Sequence, residues 1–252
     1  MKRIAETRIT DQDRERSCTV HSLDEIQGIL SVFKGSLNQR RILDVGCGFG
    51  GLALTIGEYV GASEVHGIDI DRQAAAVAAE RGMTATYQDI SNGNIGYPSD
   101  HFSLVTSFGM LDYLPHYDDA IIEMRRVLAP SGFLVVSLPN LASWHNRLLL
   151  LSGYQPRDVE VSRRYLVGVH PRYRRSSGPT GHIHTVTTRG FEELMRRHRF
   201  RTVLVRGAAP RNISRNTWLG PIDAIFARFP NLARRFFYVG QKADRAQSAQ
   251  DE

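Results

Sequence analysis

The chain has 252 residues, with 32 Lys+Arg against 26 Asp+Glu for a formal net charge of +6, 42% hydrophobic and 23% charged residues. That composition suits one soluble α/β domain with an insertion. Two cysteines, Cys18 and Cys47, are too few for a disulfide framework or a zinc ribbon. No apolar run nears the roughly 20 residues of a membrane span, and the polar N-terminus lacks a signal-peptide core, so a cytoplasmic setting is expected.

The charge is unevenly spread. Residues 1–140 carry 12 Lys+Arg and 18 Asp+Glu, whereas residues 141–240 carry 18 arginines and 5 acidic residues. Arginine suits bidentate contacts to phosphate or carboxylate, so an anionic partner stands beside the plainer reading of a solvated basic surface.

The first predicted element is a helix opened by the capping box Ser22-Leu23-Asp24-Glu25, with Leu23, Ile26, Ile29, Leu30 and Phe33 on one face and Gly35 and Asn38 stopping it. Strands are expected at 41–45, 65–70, 85–88, 102–108, 133–138, 200–206 and 235–239. Helices are expected at 52–59, after Asp71, at 118–128, at 141–151 and, capped by Thr188, at 189–198. Ala129-Pro130-Ser131-Gly132 reads as a turn before the fifth strand. Alternating strands and helices, with strands apolar on both faces, argue for a doubly wound, Rossmann-like parallel sheet of seven strands. A Gly-, Pro-, Arg- and Tyr-rich stretch after strand five reads as a lid over a binding site. The expected organisation is an N-terminal helical segment (1–37), a core (38–140), the lid insertion (141–187), a C-terminal part of the core (188–242) and a tail (243–252). Trp218 to Leu232 places apolar residues at helical spacing, suited to cap packing or a homodimer contact.

Strand one runs into Asp44-Val45-Gly46-Cys47-Gly48-Phe49-Gly50-Gly51. Its glycines permit a tight turn and close approach of backbone to a ligand, and the next helix aims its N-terminal N–H groups into the same crevice. Strand two ends in Asp69, placed to accept hydrogen bonds from ribose hydroxyls. Asp89 is placed to read an adenine amino group, with Ile70 and Ile90 on either side of the ring.

These segments resemble the class I S-adenosylmethionine (SAM) dependent methyltransferases. Asp44 to Gly50 is similar to that family's D-x-G-C-G-x-G turn, His66 to Ile70 to its G-x-D strand, and Tyr87 to Ile90 to its third motif. Phe102 to Val105 with Leu128 to Phe133 resembles its strand-four and pre-strand-five pattern. The resemblance implies SAM as cofactor, S-adenosylhomocysteine as product, and Asp44, Gly46, Cys47, Gly48, Gly50, Asp69, Ile70, Asp89, Ile90 and Phe108 as its binding set. Cys47 itself reads as a small buried filler. A Rossmann dehydrogenase fits the glycine spacing and the L-x-P-x-G turn less well. Ser137 to Arg147 with Gly181 to Thr185 is similar to methionine-biosynthesis W-type proteins and to methyltransferases of polysaccharide and natural-product pathways. That resemblance implies a small-molecule acceptor.

Methyl transfer needs an aligned nucleophile, and a base when the nucleophile is a hydroxyl. His182 and His184, on one face of an extended segment, are the candidate bases. Tyr113 and His116, after strand four, and Arg164 and Tyr165, in the lid, are candidate acceptor contacts. No ligand set for a metal is apparent. A nucleic-acid methyltransferase is the less favoured rival, since Ser107-Phe108-Gly109-Met110 stands where base-methylating relatives carry Asn/Asp-Pro-Pro-aromatic. A non-catalytic partner protein of the same fold is the other.

Overall fold

The computed structural model describes residues 23–37, 41–173, 178–209 and 220–243. Ser22, Asn38, Cys18 and Trp218, named above, lie outside them.

The elements in chain order are α1 (Leu23–Leu30), β1 (Arg41–Val45), α2 (Gly51–Val60), β2 (Glu64–Asp69), α3 (Arg72–Glu80), β3 (Thr84–Tyr87), β4 (Phe102–Phe108), α4 (Tyr117–Val127), β5 (Leu128–Pro139), α5 (Trp144–Leu151), α6 (Thr188–Arg197), β6 (Phe200–Ala208), α7 (Gly220–Phe226) and β7 (Arg235–Lys242). The strands form one seven-stranded sheet in the order β3-β2-β1-β4-β5-β7-β6. β4, at its centre, is buried at every position, as the apolar run Phe102 to Phe108 requires of a strand covered on both faces.

Alternating side chains divide the core into two layers. Ile42, Leu104, Phe133, Val135, Phe237 and Val239 pack with α1 and α2, and the rings of Phe33 and Phe133 stack 4.5 Å apart there. Leu43, Val45, Val105, Leu134, Phe236 and Tyr238 pack with α4 and α6 on the other side. Burying a Leu or Phe side chain contributes roughly 1.5–3 kcal/mol, so these layers hold the sheet together.

Four local expectations are corrected. The sheet is mixed, not wholly parallel, because β7 returns between β5 and β6 antiparallel to both. Ala129 to Gly132 does not end one element and begin another. β5 already pairs Leu128 with Phe102, and the four residues loop out of the ladder, with Ser131 at φ 58°, before Phe133 pairs with Leu104. Residues 141–143 form a turn rather than helix, because the Asn140 side chain accepts from the Ala142 N–H at 3.0 Å and α5 starts only at Trp144. Thr187, not Thr188, caps α6. Its backbone is extended and its hydroxyl accepts from the Gly190 N–H at 3.1 Å. Asp71 caps α3 as its sequence implies, accepting from Gln73 and Ala74.

The parallel strands bring the 44–51 turn, the loops after β2 and β4, the start of α5, residues 181–187 and Arg234–Arg235 to the carboxyl ends of β1, β2, β4 and β5. That end of an open α/β sheet is where ligands bind. No helix among the described residues is long and apolar enough to cross a membrane.

Candidate functional site

The glycine turn is fixed from both sides. The Gly46 and Cys47 N–H groups donate to the Ile68 carbonyl at 2.9 and 3.1 Å, which ties the turn to β2. Gly46 adopts φ 82°, and a Cβ there would lie 2.8 Å from Met110 Cγ, so only glycine lets the loop after β4 come this close. Gly50 serves packing of a different kind, since a Cβ there would collide with Met83 and press on Ala78. Gly48 alone of the three faces open space, with no atom within 4 Å of a Cβ built on it. The Cys47 thiol points into a small layer of Ala53, Leu54, Ala78 and Met83.

Two carboxylates border this opening. Asp69 Oδ2 accepts from the Gly48 N–H and Oδ1 from the Asp71 N–H, both at 2.8 Å. The side chain is thereby locked to the turn, and each oxygen keeps a lone pair for a hydroxyl donor. Asp44 is buried at the end of β1 and accepts from Thr106 Oγ1 at 2.6 Å. Burial pushes its carboxyl up to about 7, against the lowering effect of the Thr106 hydrogen bond, and the nearby Asp69 charge pushes the same way. A cationic ligand would relieve both costs.

The remaining residues of the expected cofactor set fall in different surroundings. Ile70 is 64% exposed, an apolar face on the rim beside Asp69. Ile90 is buried in the layer on the α4 side. Asp89 is exposed, and Ser91 donates to it from both N–H and Oγ, which holds its carboxyl below the usual range. The Phe108 ring is buried on the opposite side of the sheet, edge-on to Phe237 at 6.2 Å.

The second half of the site grows from the loop after β4. Leu111–Tyr113 forms a 3-10 turn. Its Asp112 carbonyl accepts from the N–H groups of Ile183 and His184 at 2.8 and 3.2 Å, so the 181–184 segment is strapped over it. Beneath the strap, His182 Nε2 lies 3.1 Å from Asp112 Oδ2, with both side chains largely buried. Thr180 Oγ1 lies 3.0 Å from His182 Nδ1 and donates to Glu160 Oε1 at 2.8 Å. Both imidazole nitrogens thus face acceptors. Burial works against the charged imidazolium, but the Asp112 hydrogen bond and charge and the Asp158 and Glu160 charges outweigh it, and the His182 pKa is raised.

His184 has a different role. Its Nε2 donates to the Pro115 carbonyl at 2.6 Å, and its own carbonyl accepts from Tyr117 Oη at 3.2 Å. The two histidines proposed as equals are therefore a carboxylate-paired one and a backbone-bound one. The Tyr113 ring lies 4.8 Å from that of His182, which brings it into the site. His116 is exposed at the start of α4. Arg164 and Tyr165 are exposed between α5 and α6, and Tyr165 lines a small cavity there with Leu149 and Tyr173. Among the described residues no group of His, Cys, Asp and Glu is arranged to hold a metal ion.

Sequence reasoning missed Asp112, Thr106 and Glu160. Asp112 stands beside Tyr113 in a segment already read as facing the acceptor, so its place was available. Its pairing with His182, and the Glu160 contacts to the Thr180 and Gly181 N–H groups at 2.7 and 2.6 Å, join segments that nothing local links.

The chain is similar to known methyltransferases in sequence and fold. A family model described as a methyltransferase domain matches residues 13–205. Trans-aconitate 2-methyltransferase of Mycobacterium tuberculosis is 29% identical over 100 residues, covering 40% of this chain and 37% of that protein. The ubiquinone biosynthesis O-methyltransferase of Alkalilimnicola ehrlichii is 35% identical over 111 residues, 42% of this chain and 44% of that one. The chain thus matches well under half the length of these curated relatives. A SAM-dependent methyltransferase structure from Thermotoga maritima, titled a possible histamine N-methyltransferase, superposes with a TM-score of 0.56 at 15% identity, covering 96% of this chain and 100% of the other. With its mixed seven-stranded sheet and glycine turn, the chain belongs to the SAM-dependent methyltransferases of the class I fold.

Proposed function

We propose that the protein transfers the methyl group of SAM to an oxygen or nitrogen atom of a small molecule, with His182 as base and Asp112 as the residue that positions it. The observation that carries this reading is the buried Asp112–His182 pair at the carboxyl end of β4, two residues beyond Met110, which packs on Gly46 of the cofactor turn. Relatives named for trans-aconitate and for ubiquinone biosynthesis support a small-molecule acceptor.

The residues present fit SAM. Gly48 leaves room for a ligand against the backbone, Asp69 offers acceptors for ribose hydroxyls, Ile70 offers an apolar face for a ring, and Asp44 supplies buried negative charge for a cationic ligand. SAM supplies an electrophilic methyl group, so the protein's task is to align and deprotonate the nucleophile. In this reading the acceptor hydroxyl or amine takes the place of Thr180 Oγ1 at His182 Nδ1. His182 takes its proton there, and Asp112 stabilises the imidazolium that results. The strap of residues 181–184 is held over Asp112 by hydrogen bonds to Glu160, Asp112 and Pro115.

The test is turnover by His182→Gln, read as S-adenosylhomocysteine release with a panel of hydroxyl and amine acceptors. A fall in kcat on the order of 10²-fold with unchanged SAM affinity is expected. Wild-type turnover would remove His182 from the chemistry.

A further inference from the structure

The turn that follows β5 holds a second group of buried polar residues, apart from the Asp112–His182 pair. Asn140 bridges to Val186, and Leu141 donates to the Val186 carbonyl at 3.0 Å, so the turn is continuous with the strap that carries His182. On its other side stand Ser143, Trp144 and His145, against Arg234 from the start of β7. Arg234 is almost wholly buried. Its Nε donates to Asp223 Oδ1 at 2.6 Å, and Trp144 Nε1 donates to the same oxygen at 2.9 Å. The guanidinium is thereby fixed, 5.5 Å from the Trp144 ring.

That arrangement satisfies one side of the arginine only. Both Nη atoms are buried and, among the described residues, have no hydrogen-bond partner. His145, 5.9 Å from the same Trp144 ring, is in a similar position. Its Nδ1 is 3.0 Å from Ser143 Oγ, and its Nε2 is buried with no partner among the described residues. Burial first, then the Arg234 and Arg157 charges, hold the imidazole pKa down to about 3, so the ring is neutral. The Ser143 hydroxyl can donate to Nδ1 or accept from it, and Nε2 is a donor in the tautomer whose Nδ1 accepts from Ser143. Arg157, in the lid, adds a second cation beside the Tyr173 ring that also borders His145. Among the described residues, Asp223 is the acid paired with Arg234.

Leaving three donor atoms unpaired in the interior costs several kcal/mol, and buried polar groups are paired in almost all native proteins. The geometry points to an oxyanion subsite, in which Arg234 Nη1 and Nη2 and His145 Nε2 bind a carboxylate or phosphate group carried by the methyl acceptor. The donors are of the kind that planar or tetrahedral oxyanions require, and Arg234 is preorganised by Asp223 and Trp144. The inference rests on the methyltransferase reading only for the source of the anionic group. It makes the acceptor an acid, anchored at the β5–α5 turn while its nucleophile meets His182.

The test is calorimetric titration of the full chain with citrate, with inorganic phosphate and with SAM, in the wild type, Arg234→Gln and His145→Phe, at constant chloride. Wild-type binding of either anion, weakened at least 10-fold in both variants with SAM affinity unchanged, is the expected result. Preference for citrate assigns a carboxylate, and preference for phosphate a phosphoryl group. Nitrogen-15 NMR of the wild-type histidines gives a readout that needs no variant, with a shift at His145 Nε2 on anion addition. No binding of either anion at millimolar concentration and no such shift would overturn the subsite and leave Arg234 as a strut for Asp223 and Trp144. Loss of SAM affinity in step with anion affinity would also overturn it, since the occupant would then be the cofactor's own carboxylate. A wild type that binds SAM but no anion refutes the subsite alone. One that binds anions but not SAM refutes the methyltransferase reading alone.

Discussion

Asp44 is the residue whose environment most clearly anticipates a ligand. Its carboxyl is raised from an ordinary 3.8 to about 7, so the folded protein binds this proton more tightly than the unfolded chain does. Stability from Asp44 is therefore fully present below about pH 4 and is lost as pH rises through about 7. The loss amounts to something on the order of 4 kcal/mol without ligand. Asp44→Asn should flatten that decline in a urea-denaturation series across pH 4–8 and should weaken SAM binding. A parent and variant with parallel pH profiles would contradict the assignment. Asp112 acts in the opposite sense on His182. Its negative charge favours the imidazolium, so kcat should rise with pH through a His182 pKa above its ordinary value. Asp112→Asn should move that rise to lower pH and reduce kcat on the order of 10-fold or more. An unmoved profile would leave Asp112 a structural residue.

At the scale of elements, most of what the sequence implied was carried by periodicity and by local caps. The buried runs Arg41 to Val45 and Phe102 to Phe108 could only be central strands, and Asp71 could only open a helix. The errors arose where two neighbouring residues compete for one local role or where a long-range ladder overrides a turn. Thr187 and Thr188 are equivalent as text. The extended backbone at Thr187 makes it the cap, and Thr188 turns inward to donate to the Pro230 carbonyl at 3.2 Å. Thr187→Ala should cost about 1 kcal/mol of stability, and Thr187→Ser should restore most of it. Equal losses in the two variants would show that the methyl group, not the hydroxyl, matters there. The Ala129 to Gly132 turn signal is real, yet pairing of Leu128 with Phe102 continues the sheet across it.

On the scale of the whole molecule, the residues read as a cofactor site lie close together in the sequence, and those proposed to meet the acceptor do not. The glycine turn, Asp44 and Asp69 lie within 26 residues and are organised by one β-α-β unit, so their spacing alone brings them together. The proposed acceptor residues come from the loop after β4, the turn after β5, the segment between α5 and α6 and the residue before β7. Contacts such as His182 to Asp112, or Arg234 to Asp223 and Trp144, depend on the sheet order, which places β7 beside β5. Charge follows the same division. The acidic first half of the chain carries Asp44 and Asp69, proposed to hold a cationic cofactor, and the arginine-rich second half carries the Arg234 turn.

The central claim is that the crevice over Gly48 takes SAM. Calorimetric titration of the purified full chain with SAM and with S-adenosylhomocysteine tests it most directly. Micromolar binding of both, tightening for SAM as pH rises through about 7 and Asp44 ionises, is the predicted result. A folded protein that binds neither would contradict the account and leave a methyltransferase fold used as a non-catalytic partner.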